Sequence, residues 1–422
     1  MAKNEQATVK RTNLYNAAIV ALLSMSSVVA SADEQAQELS ATRTTPEAEA
    51  PSAPPLPIPI SPTLPTNPNP FSLDLGPVGK IYTSGIVTGM GLFQDNSPAG
   101  DQDSQGDLNN AHLFIQKSDG LAQFFVQAGY YSVPVLGVPY TKASDSTNLL
   151  FDAVPQAYLK IAPTKELSVQ VGKLPTLIGA ESTFTFQNMN IQRGLLWNQE
   201  NAVNRGVQVN YAGGPLSVSA SLNDGFYSGE YSWVSMSASY AVDSNNTLTL
   251  GGGANTKHSH ESSFATPVAQ NNQQIYNLIY MHTDGPWTFQ PYIQYTHVPK
   301  IEEVGINHSA STLGGALLMS YDFDSDATPA GLRLPGFKLP VRLEYISSSG
   351  DADNGAPNLL GYGVGSNAWS FTITPTYQYQ RLFARADLAY VGASNTTSGM
   401  VFGSTGNKHS ETRAMIEAGI FL

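Results

Sequence analysis

The chain has 422 residues, a formal net charge of −12 at neutral pH and no cysteine. Only 13% of its residues are charged, while glycine (37) and tyrosine (20) are plentiful; soluble domains run nearer a quarter charged. The negative balance excludes a nucleic-acid partner, because no basic patch offsets phosphate repulsion, and the lack of cysteine excludes a fold that depends on disulfides.

In chain order, residues 1–32 read as an export signal. Lys3, Lys10 and Arg11 form a basic start, Ala17 to Ala30 an apolar segment, and Ala30-Ser31-Ala32 a small-x-small cleavage site. Residues 33–74 read as a disordered periplasmic arm. Its prolines, from Pro51 to Pro70, favour an extended polyproline spacer at ~3.1 Å per residue. No run of about 18 apolar residues follows residue 32, so membrane-crossing helices are not expected.

From residue 75 to 422 apolar and polar side chains alternate, the mark of strands with two unlike faces. In Trp369 to Tyr379, Trp369, Phe371, Ile373, Pro375, Tyr377 and Tyr379 share one face, and serine, threonine and glutamine the other. Trp287 to Tyr295 repeats the design. In Leu382 to Tyr390 the odd charges are Arg385 and Asp387, and the last strand carries Ala414, Ile416, Ala418, Ile420 and Leu422 on one side. Aromatics at the ends of the apolar faces, segments about ten residues long and polar opposite faces point to lipid outside and water inside. The fold expected is all-β: a transmembrane antiparallel β-barrel of about sixteen strands. The strands fall near residues 79–92, 108–117, 120–131, 151–161, 165–174, 203–211, 215–223, 229–241, 246–256, 273–283, 286–297, 309–322, 338–348, 368–379, 381–392 and 411–422. Connections alternate short and long, as they do between the two rims of an outer-membrane barrel. Asp224–Ser228 is short for an outer loop and Phe323–Phe337 long for a periplasmic turn, so fourteen or eighteen strands remain open.

The longest polar connection, 175–201, is read as a loop folded into the bore. Val171-Gly-Lys-Leu-Pro-Thr-Leu-Ile-Gly-Ala-Glu181, Asn188, Asn190-Ile-Gln-Arg-Gly-Leu-Leu-Trp197 and Asn204-Arg-Gly-Val-Gln-Val209 resemble the OmpL-like β-barrel porin family over about 40 residues. The match departs at Arg205, where the family often has histidine. The resemblance implies an outer-membrane porin, a passive diffusion channel for small hydrophilic solutes. It also implies a place for the constriction loop, after the fifth strand, and an assembly of three copies.

Glu181, Asn188 and Arg193 are then the candidate constriction residues. Lys160, Arg342, Glu344, Arg385, Asp387, Arg413 and Glu417 lie on polar faces and are candidate pore-lining charges. They come as mixed pairs, and either orient solutes by a transverse field or neutralise one another. Lys173 and Arg205 face lipid by strict parity, at a rim where lipopolysaccharide phosphates pair with them. Alternatively, bulges at Gly172 and Gly206 turn both inward towards Glu181. No cofactor and no metal site is expected: Asp101-Gln-Asp103 and Asp351-Ala-Asp353 lack the spacing of a calcium loop, and His258-Ser-His260 is too little for zinc. Partners are outer-membrane lipid, lipopolysaccharide and small polar solutes. Two other functions compete, a barrel hydrolase recruiting His112 and a structural barrel tethered to the cell wall by the arm, though no nucleophile motif marks a serine.

Overall fold

The computed structural model describes residues 64–422. The export signal and residues 33–63 of the arm lie outside the described residues. The strands are β1 (Phe71–Asp74), β2 (Lys80–Asp95), β3 (Ser104–Lys117), β4 (Ala122–Tyr131), β5 (Gln156–Ile161), β6 (Leu167–Pro175), β7 (Val203–Gly213), β8 (Leu216–Asn223) and β9 (Trp233–Ala241). They continue with β10 (Asn246–Asn255), β11 (Gln274–Asp284), β12 (Trp287–Val298), β13 (Ala310–Asp322), β14 (Phe337–Ser348), β15 (Asn367–Ile373), β16 (Thr376–Tyr379), β17 (Leu382–Ser394) and β18 (Ser410–Phe421).

Each strand from β2 to β14 pairs antiparallel with the next, β17 pairs with β18, and β18 returns to β2 (Phe421↔Ile86, Thr412↔Asp95), so the sheet closes. β15 and β16 are two halves of one strand. Pro375 interrupts it because it has no N–H for the ladder, while both halves still pair with β14 and β17. The wall therefore has sixteen strands, and each coincides with one of the segments read from the sequence. The two irregular connections are real features of a sixteen-stranded wall. Residues 224–232 form a short outer loop, and residues 323–336 form a long turn containing a helical step at Ala330–Leu332.

Alternation maps onto the two faces as expected. On β12, Gln290, Tyr292, Gln294 and Thr296 are buried inside, while Trp287, Pro291, Ile293 and Tyr295 are exposed outside. An exterior this apolar has no soluble solution, and it fits acyl chains. Rings mark both edges of the belt. Trp287 packs on Tyr321 (4.7 Å) near the short turns, and Trp369 on Tyr390 (5.0 Å) near the long loops. Trp287 and Tyr295 lie eight residues apart, or about 20 Å along the barrel axis after tilt, close to the ~25 Å apolar band of such barrels.

The end of the arm lies against the barrel. Phe71–Asp74 pair with Lys80–Thr83, on the edge of β2 that the shorter β18 leaves free. Leu64 is buried in an apolar cluster that includes Phe383 and Phe421, and Gln378 Nε2 donates to the Pro65 carbonyl.

Candidate functional site

The connection between β6 and β7 leaves the wall at Pro175, which pairs with Val203. Its neck is closed by Thr176 N–H on the Ala202 carbonyl (3.1 Å) and Thr176 Oγ1 on Asn201 Oδ1 (2.8 Å). Residues 176–202 then fold inward and touch walls on opposite sides of the barrel. Gly179 N donates to Asn277 of β11 (3.1 Å), Gln294 of β12 to the Leu196 carbonyl (2.8 Å), and Asn190 to Thr374 between β15 and β16 (2.6 Å). Thr185 Oγ1 donates to Glu417 of β18 (2.6 Å), which also accepts from Asn109 of β3 (2.6 Å). Ala180, Met189, Leu195 and Leu196 pack with Ile279, Tyr292, Leu318, Ile346 and Val391 of the wall. Arg193 N and carbonyl bond to Pro134 and Leu136 of the 132–155 loop, which covers the segment from above.

Charge explains why an irregular backbone is tolerated inside a barrel: its polar groups need partners, and wall side chains supply them. Arg342 Nη1 bonds Glu181 Oε1 (2.6 Å) and the Gln192 carbonyl (2.7 Å), and its Nε lies 3.1 Å from Glu344. Glu181 Oε2 accepts from Gly194 N (2.9 Å), and Glu344 from Leu196 N (3.3 Å). Asp387 accepts from the backbone of Ile191 (3.1 Å) and Gln192 (2.9 Å). Arg385 chelates Glu417 (2.6 and 2.8 Å) and donates to the Asn188 carbonyl (2.9 Å). Arg413 pairs with Glu411 (2.8 Å) and donates to the carbonyls of Val135 and Val138. Gly194 is required, because a Cβ there would overlap the Glu344 carboxylate.

The sequence-chosen residues are thus brought together, but in a different capacity. Arg342, Glu344, Arg385, Asp387, Arg413 and Glu417 all point inward, yet none exceeds 5% exposure. They hold the inserted segment and are not open to a passing solute. Asn188 closes its own turn through Ser182 and Phe184, and Arg193 is held by the carbonyls of Thr183 and Ile191. Of the constriction trio, Glu181 borders a cavity of about 200 Å³, whose other lining includes Gln156, Thr176, Gln187, Ser237 and Ser239, and Asn188 borders a smaller one of about 60 Å³. Lys160 remains half-buried on the inner face of β5. Lys173 and Arg205 do not turn towards Glu181. Their strands run in unbroken register, with Gly172 opposite Gly206, and they stay outward at the rim. There Lys173 meets Asp152 (3.4 Å), and Arg205 meets Asp224 (2.6 Å) and the Tyr227 ring (4.0 Å).

What sequence reasoning missed is the accessible lining. On β6 to β10, Gln170, Asn210, Ser219, Ser237, Ser239 and Thr247 face inward and keep partial exposure. Alternation of short neutral residues was the available signal, and charge drew the reading elsewhere. His112 is boxed by Phe114, Tyr131, Phe184 and Phe186, with Gln127 as its polar neighbour (3.3 Å).

A family model described as "Putative beta-barrel porin-2, OmpL-like" matches residues 80–422. No curated protein matches. Among solved structures, the loop L8 deletion mutant of OmpT, an outer membrane protein of Vibrio cholerae, superposes with a TM-score of 0.52 at 12% identity, over 81% of this chain and 99% of that one. OprD of Pseudomonas aeruginosa gives 0.47 at 13% identity over 81% and 94%. A mutant of the Rh. blastica porin gives 0.42 at 11% identity over 81% and 100%. The first of these shares the barrel fold.

Proposed function

The chain belongs to the OmpL-like β-barrel porin-2 family, and on that premise we propose a route for its solutes: the half of the bore walled by β5 to β10. The protein is an outer-membrane porin, a channel for small solutes. Residues 176–202 narrow it from within. The observation that carries the route is the contrast between the two halves of the wall. β14, β17 and β18 present charges that are consumed by the inserted segment, whereas β6 to β10 present uncharged serine, threonine, glutamine and asparagine with residual exposure. Neutral hydroxyl and amide groups exchange hydrogen bonds with hydrated solutes without trapping them, which suits passive diffusion.

No covalent step belongs to this reading. His112, the histidine a hydrolase would recruit, is packed among rings with an amide beside it, where a nucleophile would need a serine within reach. Association as three copies, with lipid and lipopolysaccharide around the apolar belt, completes the proposal. Purified protein in a planar bilayer tests it: discrete conductance steps support the channel, and a silent membrane overturns it.

A further inference from the structure

The mouth of the barrel at the short turns is crossed by the chain itself. Phe71–Asp74 pair with Lys80–Thr83 and fix a hairpin on the free edge of β2. Upstream of that hairpin lie residues 64–70, three of them proline. At ~3.1 Å per residue, a proline-rich stretch of this length reaches about 19 Å. It passes the turn between β16 and β17, where Gln378 Nε2 donates to the Pro65 carbonyl (2.7 Å). Leu64 sits inside the bore. It is buried in one cluster with Phe383 of β17, Phe421 of β18 and Phe186 of the inserted segment. Phe421 bridges the other two rings, edge-on to Phe186 (6.5 Å between centres) and tilted against Phe383 (5.5 Å). With Asn188 and Met189 of the segment, Lys338 of β14 and Arg385 of β17, Leu64 also lines the cavity of about 60 Å³. The segment is therefore covered on both sides. The 132–155 loop lies over it at the long-loop rim, through Arg193, and Leu64 lies beneath residues 186–189.

We propose that residues 64–70 are a latch: a strap across this mouth that keeps the inserted segment docked while in place and lets it loosen when released. The two are held very differently. Buried ion pairs and backbone bonds fix the segment to the wall. What fixes the strap is one buried leucine and one hydrogen bond from Gln378, whose amide also donates to the Gln380 carbonyl (2.9 Å). Burying a single leucine shifts an equilibrium by roughly ten- to a hundredfold, so the strap detaches while the ladder stays closed. The hairpin at Phe71–Asp74 keeps the detached strap tethered, and it docks again. During release Phe186 and Phe421 lose their apolar cover, and Asn188 and Met189 face the open mouth. The strap lies under β14 to β18, opposite the proposed route along β5 to β10. It acts on flow through the segment, and its release adds the second half of the bore.

The latch deepens the porin reading and rests on it, since it governs the same inserted segment. The chain has no cysteine, so Leu64→Cys places a single thiol on the strap and leaves the ladder untouched. In a planar bilayer, a methanethiosulfonate reagent carrying a sulfonate is added on the side of the short turns. Before the reagent the variant should conduct much as the wild type does. Afterwards a larger open level should gain about tenfold in occupancy, and a thiol reductant should restore the first trace. Limited proteolysis of the modified protein in detergent should cut residues 176–202 where the unmodified protein resists. Leu64→Asp should reach the same state without reagent. The latch is overturned by a thiol that mass spectrometry finds unmodified, because the strap then never releases. It is equally overturned by a modified thiol with unchanged protease resistance, or by a conducting channel whose current ignores the modification. A silent bilayer counts against the channel instead, and proteolysis then decides the latch alone.

Discussion

Arg342→Met probes the clamp between the inserted segment and the wall. Arg342 is fully buried and links Glu181, the Gln192 carbonyl and Glu344 at 2.6, 2.7 and 3.1 Å. Its removal leaves two carboxylates facing each other without their cation, with Glu200 near by. Truncating one partner of a buried ion pair costs about 3–5 kcal/mol. The barrel wall, closed by its own ladder, does not depend on Arg342, so the cost falls on docking of residues 176–202. At 1.4 kcal/mol per decade, 3–5 kcal/mol moves the docked–undocked balance by roughly two to three and a half powers of ten. Single-channel recording should show a larger or longer-lived open level, and limited proteolysis should cut the segment where the wild type resists. Adding Glu181→Gln and Glu344→Gln should recover much of the docking, since the uncompensated charges are then gone. A variant with wild-type conductance and wild-type protease resistance would refute the reasoning.

Gly194→Val should act in the same direction, because its side chain would collide with the Glu344 carboxylate; conductance and proteolysis report it, and normal docking would contradict the packing described. Lys160→Glu reverses the charge that β5 presents to the proposed route, so the reversal potential in a salt gradient should shift towards cations, and no shift would remove β5 from the route. Arg205→Ala strips buried Asp224 of its cation while leaving the bonds from Arg205 N and Gly229 N. A loss of about 1.5–3 kcal/mol is expected for such a charged hydrogen bond, read as a lower unfolding temperature with conductance unchanged.

The sequence revealed the strands of the wall, though not their exact number, because a barrel in lipid writes one rule into every strand: apolar outward, polar inward. It also revealed the inserted segment, whose length and amide-rich composition suit a backbone that must be satisfied inside a bore. The charges were harder. Alternation tells which face a side chain occupies and nothing about what packs on that face. Glu181 and Arg342 are 161 residues apart in sequence, and their pairing depends on how the segment lies. Of the two readings of the wall charges, orienting solutes or neutralising one another, the pairs Arg342–Glu344 and Arg385–Glu417 go with the second, and these side chains face inward but are covered.

Gly172 and Gly206 illustrate a second limit. Glycine in a strand signals either a bulge or a close approach of backbones, and here it is the second. A Cβ on Gly172 would strike the Ala157 carbonyl, and one on Gly206 the Leu222 carbonyl. The register stays intact, so Lys173 and Arg205 keep their outward parity and find acids in neighbouring loops. The proline-rich arm hid a third feature, since Leu64, isolated between a threonine and a proline, carries no periodic signal although it packs in the cluster with Phe383 and Phe421.

The account stands on residues 176–202 lying inside the barrel and limiting flow through it. The direct measurement is single-channel conductance of the wild type against a variant in which residues 177–199 are replaced by a short glycine–serine link. A several-fold larger conductance is predicted, with the closed wall preserved. A variant that folds as a barrel and conducts no more than the wild type would contradict it.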